Sequence, residues 1–318
     1  MTPLASALAI PTSLTSSPTR QRKRAAPARR PRAPTRCGTA DVSEESSSSA
    51  PIKRSVVVMC HGVTPHARAG LFSAANLLQG RVDVWCRCVT AGLYLSDDVR
   101  RDTVVHLVMQ SDDLASCRLV SVDGARVEGL APAEKNVALL LQRAMQHASL
   151  DQLPLLARDA PGGRRSRVGD GDGDEVREKS ARNARKRVGE WLAKRPGSAG
   201  PVPGIAVSDH QSLEACLRDA LRGCGAVALL DVDGDDASGC LARPLDNPEN
   251  GEGFAVVVGD GSGITPDERR TLMFVFGAVL MAMGGKTLLA SHCVVLAHAA
   301  LDGEEARRRR MGRTPTSS

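Results

Sequence analysis

Asp83 and Arg87 stand four residues apart in the stretch Gly80-Arg81-Val82-Asp83-Val84-Trp85-Cys86-Arg87-Cys88-Val89. On a helix that spacing makes them neighbours on one face. A placed carboxylate can take or orient a proton, and a guanidinium can hold a phosphate or carbonyl oxygen. The plain alternative is a surface ion pair worth about 0.5 kcal/mol or less. A second group of residues offers backbone. Gly259-Asp260-Gly261-Ser262-Gly263 and Met283-Gly284-Gly285-Lys286-Thr287 are two glycine loops, and glycine lets a chain pass close to a bound group. Following successive strands, such loops can line one cofactor pocket at the carboxyl ends of a parallel sheet. Each glycine taken alone is better explained as a turn.

Other constellations fail on spacing. Gly285-Lys286-Thr287 looks like the end of a phosphate-binding loop, but leucine occupies position 280, where that motif needs glycine. Asp231-x-Asp233-x-Asp235 and Asp170-x-Asp172-x-Asp174 lack the glycine and the closing glutamate of a calcium loop, which leaves solvated acidic loops. The nine cysteines are scattered, odd in number and without a repeated C-x-x-C, a pattern of a reducing compartment and not of a disulfide framework. Cys86-x-Cys88 and His292-Cys293 lack zinc-finger spacing, so no metal is expected.

The elements that must position these residues follow from periodicity. Ser55 to Cys60, Thr103 to Gln110, Gly204 to Ser208, Ala226 to Asp231 and Phe254 to Val258 are short apolar runs that read as strands. Val82, Cys86, Val89 and Leu93 fall at helical spacing and predict a buried stripe. Pro132 to His147 reads as a helix, with Val137, Leu140, Leu141, Ala144 and Met145 on one face. Ser208 with Gln211, and Thr265 with Glu268 around Pro266, read as capping boxes that open helices. The apolar run from Leu272 to Met283 is shorter than the roughly 20 residues a membrane helix needs and reads as a core helix. Leu288 to Ala290 reads as strand-like, and Ser291-His292-Cys293 opens a final helix.

Two ordered sets of residues resemble the TrmY family of SPOUT methyltransferases, the archaeal-type tRNA pseudouridine-54 N1-methyltransferases. The first is the G-D-G-S-G loop, the M-G-G-K-T turn and the S-H-C helix start. The second is Gly80 to Val89, then Leu93-Tyr94-Leu95-Ser96, then Val99-Arg100-Arg101-Asp102, similar to the family's G-R-x-D-x-x-x-R-C-V and I-R-R-D. The resemblance covers residues 54 to about 150 and 203 to 302. It departs at Gly261, where the family usually has histidine, and in extra apolar residues between Arg270 and Met283. It implies an α/β fold, a mostly parallel sheet flanked by helices with a trefoil-knotted carboxyl end. It also implies S-adenosyl-L-methionine as cofactor and N1 of pseudouridine in the tRNA T-loop as target. Leu230, Gly259, Met283, Gly284, Gly285, Lys286, Thr287, Leu288 and Cys293 would line the cofactor pocket. Asp83 and Arg87 would carry the chemistry, Arg100 and Arg101 would contact RNA, and the chain would form a homodimer. A ribosomal RNA pseudouridine methyltransferase, or an RNA-binding protein with a degenerate pocket, stands as the alternative.

Composition bounds the rest. Residues are 42% hydrophobic but only 2% aromatic, so aliphatic side chains and alanine must build the core. The net charge of +6 favours a polyanionic partner. Residues 1–40 hold no Asp or Glu and are rich in Ser, Thr, Pro, Ala and Arg. That is the composition of a plastid or mitochondrial transit peptide; the alternative is a basic arm of a cytoplasmic or nuclear protein, with Gln21-Arg22-Lys23-Arg24 as its signal. The expected organisation is a leader over 1–53, a methyltransferase domain over 54–302 interrupted by a disordered insertion at about 155–203, and a basic tail over 303–318.

Overall fold

A computed structural model describes residues 53–111, 116–150, 201–242 and 253–311. The expected leader and nearly all of the 155–203 insertion, with its Asp170-x-Asp172-x-Asp174 run, lie outside the described residues. The seven strands are β1 (Lys53–Cys60), β2 (Thr103–Gln110), β3 (Cys117–Asp123), β4 (Ile205–His210), β5 (Cys224–Asp236), β6 (Gly253–Gly259) and β7 (Val279–Ala282). They form one sheet in the order β4-β3-β2-β1-β6-β5-β7. β1 runs parallel to β2 and β6, and β5 runs parallel to β6 and β7. β3 pairs antiparallel with β2 and with β4.

Helices cover both faces. They are α1 (Pro65–Arg68), α2 (Val82–Leu93), α3 (Glu134–Ala148), α4 (Leu213–Ala220), α5 (Ala237–Ala242), α6 (Pro266–Val275) and α7 (Ala290–Met311). β1 shows why its valines suit a central strand. Val56 and Val58 face one apolar cluster with α2, α3 and the start of α7, while Val57 and Met59 face another with α4 and α6. A strand buried on both sides reads as a continuous apolar run. The stripe Val82, Cys86, Val89 and Leu93 is fully buried, as its spacing predicts. The Thr265–Glu268 capping box opens α6 as expected.

Five expectations need correction. The 272–283 run is not one helix: α6 stops at Val275, Gly277 takes φ +63, and β7 begins at Val279. A left-handed glycine ends a helix cheaply, and β7 then finds β5 as a partner. Leu288 and Leu289 are exposed and form no strand. The helix after β4 is capped by Ser212, whose hydroxyl accepts from the Ala215 amide, while Ser208 lies inside β4. The basic tail expected from 303 is helical to Met311, where Glu304 pairs with Arg307 and Arg308, and Glu305 with the buried Arg54. The Asp231 to Asp236 segment is likewise not a loop but the end of β5.

Candidate cofactor and methyl-acceptor site

Because β1, β2, β5, β6 and β7 point the same way, the segments that follow them share one edge of the sheet. After β6, the chain closes a tight loop. Asp260 donates its amide to Met59 O at 3.1 Å and accepts from the Gly263 amide at 3.0 Å. Its carboxylate accepts from the Ser262 and His61 amides, each at 2.8 Å. A Cβ on Gly259 would stand 2.4 Å from Gly263 O, so glycine there serves the loop's own closure.

After β7 the backbone is open. Gly284 takes φ +111, a conformation that side chains rarely tolerate, and nothing lies within 4 Å of a Cβ built on Gly284 or Gly285. Met283 and Leu230 pack against one apolar cluster, and Leu230 and Cys293 against another. Lys286, Thr287 and Leu288 continue the exposed turn. Cys293 sits in the first turn of α7, and burial pushes its thiol up, which disfavours the nucleophilic thiolate. Burial likewise pushes Cys86 and Cys88 up to about 12. Among the described residues no three His, Cys, Asp or Glu side chains come together as metal ligands.

The start of α2 meets this edge. Arg87 Nη2 donates to Asp83 Oδ2 at 2.5 Å. Asp83 is 7% exposed, and its Oδ1 accepts no hydrogen bond among the described residues. The guanidinium of Arg81 approaches that oxygen at 3.8 Å. Arg81 itself has φ +57, among the described residues the single non-glycine with positive φ. Its Nη atoms lie 3.1 and 3.2 Å from where a Cβ on Gly261 would be. Arg81 thus fills the space that a side chain at position 261 would enter. It links Asp83 to the Asp260 loop, and Arg87 holds Asp83 from the next turn of α2.

Arg100 and Arg101 are elsewhere. They precede β2, at the amino edge, roughly 23 Å of strand from the site. Arg100 is held bidentately by Asp302, and Arg101 by Asp98 and Gly124 O.

His61, just past β1, escaped the sequence reading. Its Nδ1 lies 3.0 Å from Asp260 Oδ1, and its Nε2 lies 2.9 and 3.0 Å from the two oxygens of Glu268. Ionised carboxylates only accept, so both ring nitrogens donate and the ring is an imidazolium. The hydrogen bonds to Asp260, and then to Glu268, hold its pKa at about 10. Burial works to raise both carboxyls, and their hydrogen bonds with His61 and nearby amides outweigh it, so both titrate below the usual range. Gln110 also donates to Glu268. A cavity of about 440 Å³ opens beside His61, Gln110, Thr265 and Glu268.

A family model described as "Putative SAM-dependent RNA methyltransferase" matches residues 64–154 and 174–306. The chain belongs to this family of RNA methyltransferases. The tRNA (pseudouridine(54)-N(1))-methyltransferase of Methanosarcina acetivorans is 26% identical over 257 residues, 80% of this chain and 93% of that protein. The enzyme of the same name from Methanococcoides burtonii is 24% identical over 251 residues, 78% and 96% of the two chains. Among solved structures, Archaeoglobus fulgidus Nep1 bound to S-adenosylhomocysteine is similar over 80% of this chain and 99% of its own. It is 11% identical, with a TM-score of 0.37, too low to carry a fold comparison. The residues present suit the methyltransferase's S-adenosylmethionine: an exposed glycine backbone at 284 and 285, an apolar wall of Leu230 and Met283, and a neutral thiol at Cys293. Among the described residues no helix is long and apolar enough to cross a membrane.

Proposed function

We propose that this methyltransferase modifies N1 of pseudouridine in the tRNA T-loop, at position 54. The observation that carries the reading is Oδ1 of Asp83, buried and without a hydrogen bond among the described residues, next to Arg81, whose guanidinium reaches the Gly261 loop. S-adenosylmethionine, when bound, supplies a methyl group on a sulfonium cation. N1 of pseudouridine is a ring N–H that must lose a proton before or as it takes that methyl. Asp83 Oδ1 accepts or orients the proton, and Arg87 fixes the carboxylate through Oδ2. Arg81, across the Gly261 wall, supplies a planar guanidinium to a carbonyl or phosphate oxygen of the RNA. The target base leaves its stack to reach this edge. The names of the relatives at 24–26% identity support the choice of base and position.

The functional unit proposed is a homodimer, supported by the exposed apolar side chains Leu288, Leu289, Val295 and Leu296 beside the site. Arg100 and Arg101, at the far edge, are assigned to RNA outside the target loop. Methylation of T-stem hairpins carrying pseudouridine or uridine at the target position tests the reading. Methyl transfer is expected only to pseudouridine, and equal transfer to both, or to neither, would sink it.

A further inference from the structure

The Asp260 loop has an anchor that the chemistry above does not use. Asp260 lies within that loop, just past the end of β6, and Glu268 lies beyond it in the first turn of α6. Two buried carboxylates so placed repel each other and cost free energy unless neutralised. His61 lies between them and reaches both, from the end of a third element, β1. Its main-chain amide adds a further bond to Asp260 Oδ2 at 2.8 Å. Among the described residues, the charged groups hydrogen-bonded to the ring are these two carboxylates. Gln110 from β2 adds a neutral donor to Glu268, and Cys60 next to the ring is a buried thiol whose pKa burial raises.

We propose that His61 is a positioning residue for the methyl donor. Its imidazolium ties the Gly259–Gly263 loop to β1 and α6 and so holds one wall of the cofactor pocket in its binding shape. The inference rests on the reading that this loop lines the pocket. It distinguishes His61 from the methyl-acceptor machinery, since Asp83 and Arg87 on α2 share no hydrogen bond with it.

The test is calorimetry with S-adenosylmethionine, with steady-state kinetics for cofactor and RNA, on wild type, His61→Gln and His61→Lys. Glutamine can satisfy one carboxylate but carries no charge; lysine restores the charge and can bridge both. His61→Gln is expected to weaken cofactor binding by about 10–100-fold, the range seen when an orienting partner is removed from a metal ligand. KM for the cofactor should rise alike, with KM for RNA and the rate at saturating cofactor nearly unchanged. His61→Lys should recover most of the affinity. A residue needed only for folding would instead lower the melting temperature and weaken cofactor and RNA together, without rescue by lysine. That pattern overturns the proposal, as does cofactor binding by His61→Gln within about threefold of wild type, a difference of under 1 kcal/mol. A wild-type chain that binds no S-adenosylmethionine overturns the cofactor reading itself, and this proposal with it.

Discussion

Asp83 is the residue on which the chemical assignment turns. Asp83→Asn keeps the size and the bond from Arg87 but removes the basic oxygen. General-base assistance contributes about 10²–10⁴-fold, so single-turnover methyl transfer should slow by a factor in that range, with cofactor affinity almost unmoved. As a mere structural pair, Asp83, which is buried, would lose stability on substitution but no rate; melting curves beside the kinetics separate the two. The histidines set the pH behaviour. Burial, first of several causes, pushes His106 and His298 down from an ordinary 6.5 to about 4. Between those values the unfolded chain binds protons that the folded chain refuses, so stability is full above pH 6.5 and is lost as pH falls toward 4. His61 acts oppositely: its contribution is full below 6.5 and is lost as pH rises through about 10. Denaturant midpoints across this span should therefore fall at both ends; equal stability at about pH 5 and 7 would contradict the buried neutral histidines. The Asp83–Arg87 pair was legible because both partners sit within one turn. His61 was not, because its partners lie 199 and 207 residues away.

At the scale of elements, periodicity was informative where an element buries a whole stripe, as in α2 and α3, and failed where burial is partial. β7 is only four residues long, with Val279 exposed and Met281 buried, and the apolar residues before it belong to a helix whose Phe274 is 82% exposed. Apolar composition there does not mark the core, so nothing in it separated helix from strand. Gly277 was the available signal. β3 was missed because Arg118 interrupts its apolar run; that arginine is buried yet paired with Asp209, Arg68 O and Ser149. Two glycines make the elements' packing testable. In α2, a Cβ on Gly92 would stand 2.5 Å from Val105 Cγ2 of β2. Gly→Ala inside a helix ordinarily gains about 1 kcal/mol, but overpacking against a stiff valine costs about 1–3 kcal/mol. Gly92→Ala should thus lower stability, and a raised melting temperature would show that α2 can move off the sheet. Gly284→Val should leave the fold's circular dichroism intact while abolishing calorimetric cofactor binding, since a branched side chain would fill the open backbone face and strain φ +111.

For the whole molecule, the sheet separates two jobs. Its carboxyl edge gathers the glycine loops, Asp83 and His61, while its amino edge is clamped by Arg54 and Arg100 on Asp302 of α7. Both sets of contacts fall within residues 53–311, so folding and cofactor binding are expected to reside there. Charge is distributed differently. Eight of the 42 Lys and Arg, but only three of the 36 Asp and Glu, lie in residues 1–50, so five of the six net positive charges belong to that segment. Deleting residues 1–50 should leave the melting temperature and the S-adenosylmethionine affinity of the chain unchanged. RNA binding should respond through salt. Each phosphate neutralised by a basic residue adds about −0.9 to the slope of log K against log salt for duplexes, and about −0.7 for single strands. The full chain is therefore expected to show the steeper slope, with its advantage over the deletion variant shrinking as salt rises from about 50 to 200 mM. If the segment is a leader removed after import, this extra affinity is incidental, and methylation of the T-loop hairpin by the shortened chain at the higher salt will match that of the full one. Loss of the cooperative melting transition on deletion would show instead that residues 1–50 contribute to the fold, against the boundary drawn from composition.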